Sequence, residues 1–282
     1  MEHPVIAQRA VTKYILDTFK LRAKKKLGQN FLVNEETVQK IAAAAQIGPG
    51  SLVLEIGPGI GTLTQALAET GAQVEAVEID KALLPVLAKT LEGYANVHII
   101  NEDILQIDIR KLVAGRDFVV AANLPYYITT PIIFGLLEQK LPMTRLVVMV
   151  QKEVADRMTA APGSKDYGAL SVALQYYTEP QEAFVVPAAS FIPAPHVDSA
   201  VVVCERRKTP AVLVDEKTFF TVVKAAFSVR RKMLSNALKN TGLSGEEITA
   251  WLQRAGIDGR RRGETLSQVE FAKLANTYKK SN

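Results

Sequence analysis

The stretch Ser51-Leu-Val-Leu-Glu-Ile-Gly-Pro-Gly-Ile-Gly61 decides the fold of this chain. Ser51 to Ile56 reads as a buried strand and Gly57 to Gly61 as a tight loop, while Thr62 to Thr70 makes a short helix ended by Gly71. Glycines between a strand and a helix let the backbone pass close to a bound ligand. The helix N-terminus adds N–H groups that have no partner within the helix. Three alternate glycines, at 57, 59 and 61, would destabilise a loop that had nothing to approach.

The same alternation continues on either side. Upstream, Asn34 is placed to cap a helix carrying Val38, Ile41, Ala42 and Ala45 at helical spacing. Downstream, Gln73 to Glu78 is the next strand, and Asp80 caps a helix to about Leu91, with Pro85 tolerated near its first turn. Val97 to Ile100, Phe118 to Ala122, Leu146 to Val150 and Ala200 to Cys204 read as further strands, with a helix from Thr130 to Gln139. Such strand–helix alternation predicts an α/β fold, a mostly parallel sheet with helices on both faces, which binds ligands at the carboxyl ends of its strands. Beyond Lys208-Thr-Pro210 the strand signals stop. Residues 216–227, 231–240, 245–254 and 266–277 read as helices, a small all-α domain. The expected division is therefore a basic segment 1–26, an α/β domain 27–208 and a helical domain 209–282.

With 48% hydrophobic and 22% charged residues, the 282-residue chain can bury a sizeable core. One cysteine, Cys204, excludes an internal disulfide, and three scattered histidines offer no metal-ligand spacing with it. No metal is expected. No apolar run is long enough to span a membrane, the first residues do not resemble a signal peptide, and a reducing cytoplasmic location fits. The net charge of +5 is uneven. Residues 1–26 carry seven Lys/Arg against two Asp/Glu, residues 27–205 carry 11 against 20, and residues 206–282 carry 16 against seven. One basic run is usually only a solvated face. Two basic flanks on an acidic middle suggest a polyanion held by the ends while chemistry occurs between them.

Glu78-Ile-Asp80 ends the second strand, 21 residues after Gly57. A carboxylate there can accept both hydroxyls of a ribose, and Asp103, after the third strand, can accept from an adenine amino group. A dinucleotide dehydrogenase is the rival reading of the loop and Glu78. Its fingerprint leaves two residues before the last glycine, whereas this loop leaves one.

Asn123-Leu-Pro-Tyr126 follows a strand directly. Asn and Pro are ordinary turn residues, so each taken singly says little. Together they suit one chemistry. The N6 amino group of adenine is a poor nucleophile because its lone pair is delocalised into the ring. Two acceptors aimed at its hydrogens favour the pyramidal nitrogen that attacks a sulfonium methyl. The Asn123 side-chain oxygen and the Leu124 carbonyl, restricted by Pro125, form such a pair, and Tyr126 can stack on a flipped-out purine. S-adenosylmethionine brings an already activated methyl group, so orientation carries most of the catalysis. Phe191, in the proline-bounded run Phe191-Ile-Pro-Ala-Pro-His-Val-Asp-Ser199, is either core or the second wall of the base pocket; the second is preferred.

Lys26-Leu-Gly-Gln-Asn-Phe-Leu32, Glu55-Ile-Gly-Pro-Gly-Ile-Gly61, Glu78-Ile-Asp80, Glu102-Asp103, Asn123-Leu-Pro-Tyr126 and Phe191 to Asp198 match one family. So do the C-terminal Arg230-Arg-Lys-Met-Leu234 and Gly259-Arg-Arg-Arg262. Over nearly its whole length the chain resembles the bacterial small-subunit (16S) ribosomal RNA adenine N6,N6-dimethyltransferases. The resemblance implies a Rossmann-like class I methyltransferase domain acting on two adjacent adenosines in a hairpin near the 3′ end of 16S rRNA, late in 30S subunit biogenesis. It also implies S-adenosylmethionine as cofactor, with S-adenosylhomocysteine as product. The expected cofactor-binding residues are Gln29, Asn30, Leu32, Glu55, Gly57, Gly59, Gly61, Glu78, Ile79, Asp103, Ile104 and Asn123, of which Asn30 and Leu32 rest on the resemblance alone. The expected catalytic set is Asn123, Leu124, Pro125, Tyr126 and Phe191. RNA contacts are expected at Lys24, Lys25, Lys26, Lys224, Arg230, Arg231, Lys232, Arg260 and Arg261. A monomer is expected. The alternatives are an rRNA-binding assembly checkpoint factor and a large-subunit rRNA dimethyltransferase. The latter group usually has Ile where Leu124 stands and Ser where Pro58 stands.

Overall fold

A computed structural model describes residues 4–229 and 231–278. The chain divides into two compact units. Of the described residues, the first unit holds those up to Ala155 together with Gln181–Arg206, and the second holds Asp156–Pro180 and those after Arg206.

The first unit opens with α1 (Arg9–Thr18), β1 (Phe31–Leu32) and α2 (Glu35–Ala45). Asn34 caps α2 by accepting from Thr37 N, and the buried face is Val38, Ile41, Ala42 and Ala45, as their spacing predicts. The α/β repeat follows: β2 (Leu52–Ile56), α3 (Thr62–Glu69), β3 (Gln73–Val77), α4 (Leu84–Thr90), β4 (Val97–Ile100), α5 (Ile109–Val113), β5 (Phe118–Asn123), α6 (Thr129–Glu138) and β6 (Met143–Gln151). After α7 (Lys152–Thr159) and α8 (Ala169–Tyr177), the chain returns through β7 (Thr178–Val186), β8 (Phe191–Ile192) and β9 (Ser199–Arg206). The seven-stranded sheet has the order β4-β3-β2-β5-β6-β9-β7. Strands β2 to β6 pair in parallel and β9 runs antiparallel to β6. The chain moves outward from β2 to β4, then jumps back to β5 on the other side of β2. That reversal opens a crevice beyond the carboxyl ends of β2 and β5. Every residue of β2 is buried, as a strand covered on both faces must be.

Three expectations change. Residues 1–26 are not a separate segment: Ile6 and Ile15 are buried against Ile60, Leu83 and Leu87, and Gln65 Oε1 accepts from Ile6 N at 2.9 Å. The helix after Asp80 begins as a 3-10 turn, Lys81–Leu83. Pro85 has no N–H to return to the carbonyl of Lys81, so α-type bonding starts only beyond it. Residues 156–180, placed in the α/β domain by the boundary at 208, belong to the second unit. Helical periodicity shows that α8 buries a face but not against which core.

The second unit holds α9 (Glu216–Phe227), α10 (Leu234–Ala237), α11 (Gly245–Ala255) and α12 (Gln268–Thr277). Its core is aromatic. The Tyr176 ring of α8 lies 4.9 Å from Phe219 and 5.2 Å from Phe220, and Phe271 lies 5.8 Å from Phe227. Trp251 is fully buried and donates its indole N–H to Leu274 O at 2.9 Å. Ser244 and Ser267 start α11 and α12 with reciprocal bonds to Glu247 and Glu270. The predicted helix 231–240 is shorter, with α10 followed by the 3-10 turn Leu238–Thr241. Among the described residues no helix is long and apolar enough to cross a membrane.

Candidate active site

A cavity of about 1020 Å³, counted with its open mouth, lies at the reversal between β2 and β5. It is built from five segments of the first unit: residues 27–32, the glycine loop after β2, the turn beyond β3, the turn beyond β4, and the loop between β5 and α6.

The glycine loop is held open by its own backbone. Gly57 N donates to Val77 O at 2.9 Å, and Gly59 N donates to Glu78 Oε2 at 3.2 Å. Gly57 has φ +72°, a conformation that side chains disfavour, and nothing lies within 4 Å of where its Cβ would stand. Gly61 differs from the expectation. It does not line the cavity; it caps α3 with φ +93° and faces Leu91 and Thr90. Its role is to turn the chain into the helix.

Three carboxylates surround this loop. Glu55, on β2 between Ala76 and Ala121, is 1% exposed, and its Oε2 has no hydrogen-bond partner among the described residues. Burial, reinforced by the neighbouring Glu78 charge, pushes its carboxyl up to about 8. Glu78 is buried too. Its Oε1 accepts from Asp80 N at 2.7 Å and its Oε2 from Gly59 N, yet burial still raises its carboxyl above the usual range. Each oxygen retains a further lone pair for a ligand hydroxyl. Asp103 is half-buried on the cavity wall, with Oδ1 accepting from Leu105 N at 2.9 Å. Ile104 is buried beside it, while Ile79 is 48% exposed at the mouth and offers an apolar face to a planar ring.

The loop after β5 supplies the acceptors. Asn123 Nδ2 makes a long contact, 3.4 Å, with the carbonyl of Asn30. That turns the amide nitrogen away and leaves Oδ1 as an acceptor. Leu124 is buried, and its N–H donates to Met149 O at 3.0 Å. The turn that follows closes on the Pro125 carbonyl, which accepts from Ile128 N at 3.2 Å and Thr129 Oγ1 at 3.0 Å. The Leu124 carbonyl is therefore not consumed by that turn. Tyr126 is anchored through its hydroxyl, 2.7 Å from Oγ of the fully buried Ser199.

Phe191 is a correction. Its ring is 1% exposed, packed with Leu32, Val147, Met149 and Val201, and does not line the cavity. The short ladder of β1 with β8 pairs Leu32 with Phe191 and draws the side chain into the core. The proline-rich surroundings suggested an open loop and gave no sign of that pairing. Tyr127 is the aromatic that sequence reasoning missed. It is 51% exposed and lines the cavity, with its ring beside Gly28. Its hydroxyl is raised first by burial and then by the Asp103 and Glu78 charges. A second tyrosine directly after Asn-Leu-Pro-Tyr was the only available signal.

The expected RNA-binding residues separate into paired and unpaired groups. Lys24 Nζ sits 2.7 Å from Asp80 Oδ1. Arg260 is tied to Asp258 at 3.0 Å, and Arg261 to Glu270 and to Thr265 O. Lys26, Lys224, Arg231 and Lys232 are exposed and make no ion pair among the described residues. Arg230 and the Lys25 side chain lie outside the described residues.

The cavity suits S-adenosylmethionine. The unpartnered Glu55 oxygen is open to a ligand hydrogen bond, a glycine cradle stays open, Glu78 and Asp103 offer acceptors for hydroxyl and amino groups, and Ile79 and Ile104 supply apolar contact. Sheet order, glycine loop and acidic turns together define a Rossmann-like, S-adenosylmethionine-dependent methyltransferase. The chain belongs to the ribosomal RNA adenine dimethylase family, whose model matches residues 20–280. It is 50% identical to "Ribosomal RNA small subunit methyltransferase A" of Geobacillus thermodenitrificans, covering 97% of both chains. The protein of the same name from Alkaliphilus oremlandii is 48% identical, over 95% of this chain and 96% of that one. Among solved structures, a dimethyladenosine transferase from Plasmodium falciparum superposes with a TM-score of 0.74 at 27% identity, covering 86% of this chain and 95% of that one. The 23S rRNA methyltransferase ErmE superposes at 0.67 with 28% identity, covering 88% and 99%.

Proposed function

We propose that this protein transfers methyl groups from S-adenosylmethionine to N6 of two adjacent adenosines in a hairpin near the 3′ end of 16S rRNA, dimethylating each within the 30S subunit. The observation that carries this reading is the orientation of Asn123, whose nitrogen is turned to Asn30 O so that Oδ1 and the Leu124 carbonyl remain as neighbouring acceptors beside the cavity.

When bound, the cofactor supplies a methyl carbon activated by positive sulfur. The protein's task is to present the amino group to it. Asn123 Oδ1 and Leu124 O accept the two N6 hydrogens and draw the nitrogen lone pair out of conjugation with the ring. Tyr126, fixed through Ser199, offers its face to the extruded base. Glu78 would accept from the ribose hydroxyls and Asp103 from the cofactor's adenine amino group, while Gly57 and Gly59 would let the backbone approach the methionyl part. No tuned general base is required, because the methylated ammonium releases its proton readily to water. After the first transfer one N6 hydrogen remains, and a single acceptor suffices to orient the second.

Near-full-length identity to small-subunit enzymes, against 28% to a large-subunit enzyme, favours the small subunit as target. The proposal extends to action in the cytoplasm, on a ribosomal particle, by a monomer. The test is transfer of labelled methyl from S-adenosylmethionine to 30S particles lacking the two dimethyladenosines. Wild-type protein should label them, and Asn123→Ala should lower turnover by about 10³-fold while leaving the fold intact, the scale seen when one preorganised polar group is lost. Near-normal turnover by that variant would refute the role of the amide oxygen.

A further inference from the structure

Asp80 ends the segment Glu78-Ile-Asp80 but is not among the residues lining the cavity. It caps the turn that follows by accepting from Ala82 N at 3.0 Å. Capping needs only one carboxylate oxygen. Here both are engaged, and the additional partners come from more than fifty residues upstream. Lys24 Nζ reaches Oδ1 at 2.7 Å, and Gln29 Nε2 reaches Oδ2 at 2.9 Å. Gln29 Oε1 in turn accepts from Lys24 N at 2.9 Å, so Lys24, Gln29 and Asp80 form a closed ring of hydrogen bonds. The Asp80 side chain is only 5% exposed within this ring. The two nitrogen donors hold its carboxyl below the usual range despite its burial.

What the ring fastens is the wall of the cofactor cavity. Residues Leu27 to Leu32 all line it, and at the far end of this strap Asn30 O meets Asn123 Nδ2. Besides the β1–β8 ladder at its end, the strap is tied by side chains at Asp80 and at Asn123. A charge-assisted bond of 2.7 Å to an almost wholly buried carboxylate is stronger than a 3.4 Å amide contact, which makes Asp80 the firmer of the two side-chain ties.

We propose that Asp80 is a positioning residue that clamps residues 24–30 across the cavity and thereby sets how long the cofactor remains bound. The proposal rests on the reading of the cavity as an S-adenosylmethionine site. Lys24 then serves the cofactor side of the reaction first, and reaches an RNA phosphate only by leaving Asp80.

The experiment measures dissociation of labelled S-adenosylmethionine from the full chain, with KM, kcat and melting temperature, for wild type, Asp80→Asn, Lys24→Met and the double variant. Asparagine keeps an oxygen for the helix cap while losing the charge. Each single variant should speed dissociation and raise the cofactor KM, by about tenfold for Asp80→Asn and less for Lys24→Met. At saturating cofactor the kcat of Asp80→Asn should stay within about twofold. Because both changes break one ring, the double variant should fall well short of the product of the singles. Wild-type dissociation rates in both singles would overturn the clamp. So would an effect confined to Asp80→Asn that tracks a lowered melting temperature, since that is the signature of a helix cap alone. If wild-type protein retained no S-adenosylmethionine, the assignment of the cavity would fall and the clamp with it.

Discussion

Glu55→Gln isolates the electrostatic cost built into the cofactor cavity. The Glu55 carboxyl is fully buried and titrates at about 8 in the folded protein, against 4.5 in the unfolded chain. Its folded value is raised, so folded protein holds a proton that unfolded protein has already released. Stability therefore falls as pH rises from 4.5 and stops falling once pH passes about 8. The span from 4.5 to about 8 corresponds to roughly 5 kcal/mol, of which about 3 kcal/mol is lost by pH 7. Glutamine has the same shape and does not titrate. The variant should grow more stable than wild type as pH rises from 5 to 8, after which the difference should level off. For a unit of this size each kcal/mol moves the melting temperature by about 2–4 °C, so the divergence is readily measured in paired melting curves across pH 5 to 9.5. Comparing the two proteins at each pH cancels the titrating groups that do not interact with Glu55, leaving Glu55 and its coupling to Glu78. A difference that stays constant across this range, or shrinks with pH, would refute the assignment of Glu55 as a buried, protonated acid.

Other outcomes follow from the same contacts. Ser199→Ala removes the hydroxyl that anchors Tyr126, so it should reduce methyl transfer by about tenfold without changing cofactor affinity, and adding Tyr126→Phe should cost little more because both break one bond; additive losses in turnover would contradict this. Glu270, held at about 2 first by Arg261, stabilises the helical unit above pH 4.5 and ceases to do so as pH falls towards 2. Glu270→Gln should accordingly destabilise by about 1–2 kcal/mol at pH 7, after allowance for partial exposure, and by less at pH 3 in chemical denaturation. Reversing Lys224, Arg231 and Lys232 to glutamate should weaken binding to 30S particles more at low salt than at high, measured by filter retention.

The parts of this molecule legible in sequence are those governed by local rules. Strand β4 is found at its predicted bounds, 97–100, and α9 at 216–227, since short apolar runs and capped periodic helices depend on neighbours in sequence. The glycine cradle, Glu78, Asp103 and Asn123 meet in one cavity because each ends a strand, and the α/β pattern brings strand ends together. What escaped was decided by distant partners. Phe191 is buried by pairing with Leu32, some 160 residues upstream. Helix α8 joins the second unit through aromatic contacts with α9 that no periodicity encodes. Asp80 looked like a helix cap, which it is, but the donors to its two oxygens from Lys24 and Gln29 come from a segment without a periodic signal. Lys24 and Arg261 counted as free basic charge in composition, whereas each is matched by a carboxylate.

The central claim is that the Asn123–Tyr126 loop presents adenine N6 for methylation in small-subunit rRNA. It is tested most directly by nucleotide-resolved mass analysis of 16S rRNA, from 30S particles lacking dimethyladenosine, after incubation with this protein and S-adenosylmethionine. Two methyl groups on N6 of each of two adjacent adenosines near the 3′ end, absent with Asn123→Ala, is the predicted result. Methylation of another atom or of 23S rRNA alone, or an unmodified 3′ region under conditions where a related enzyme acts, would contradict it.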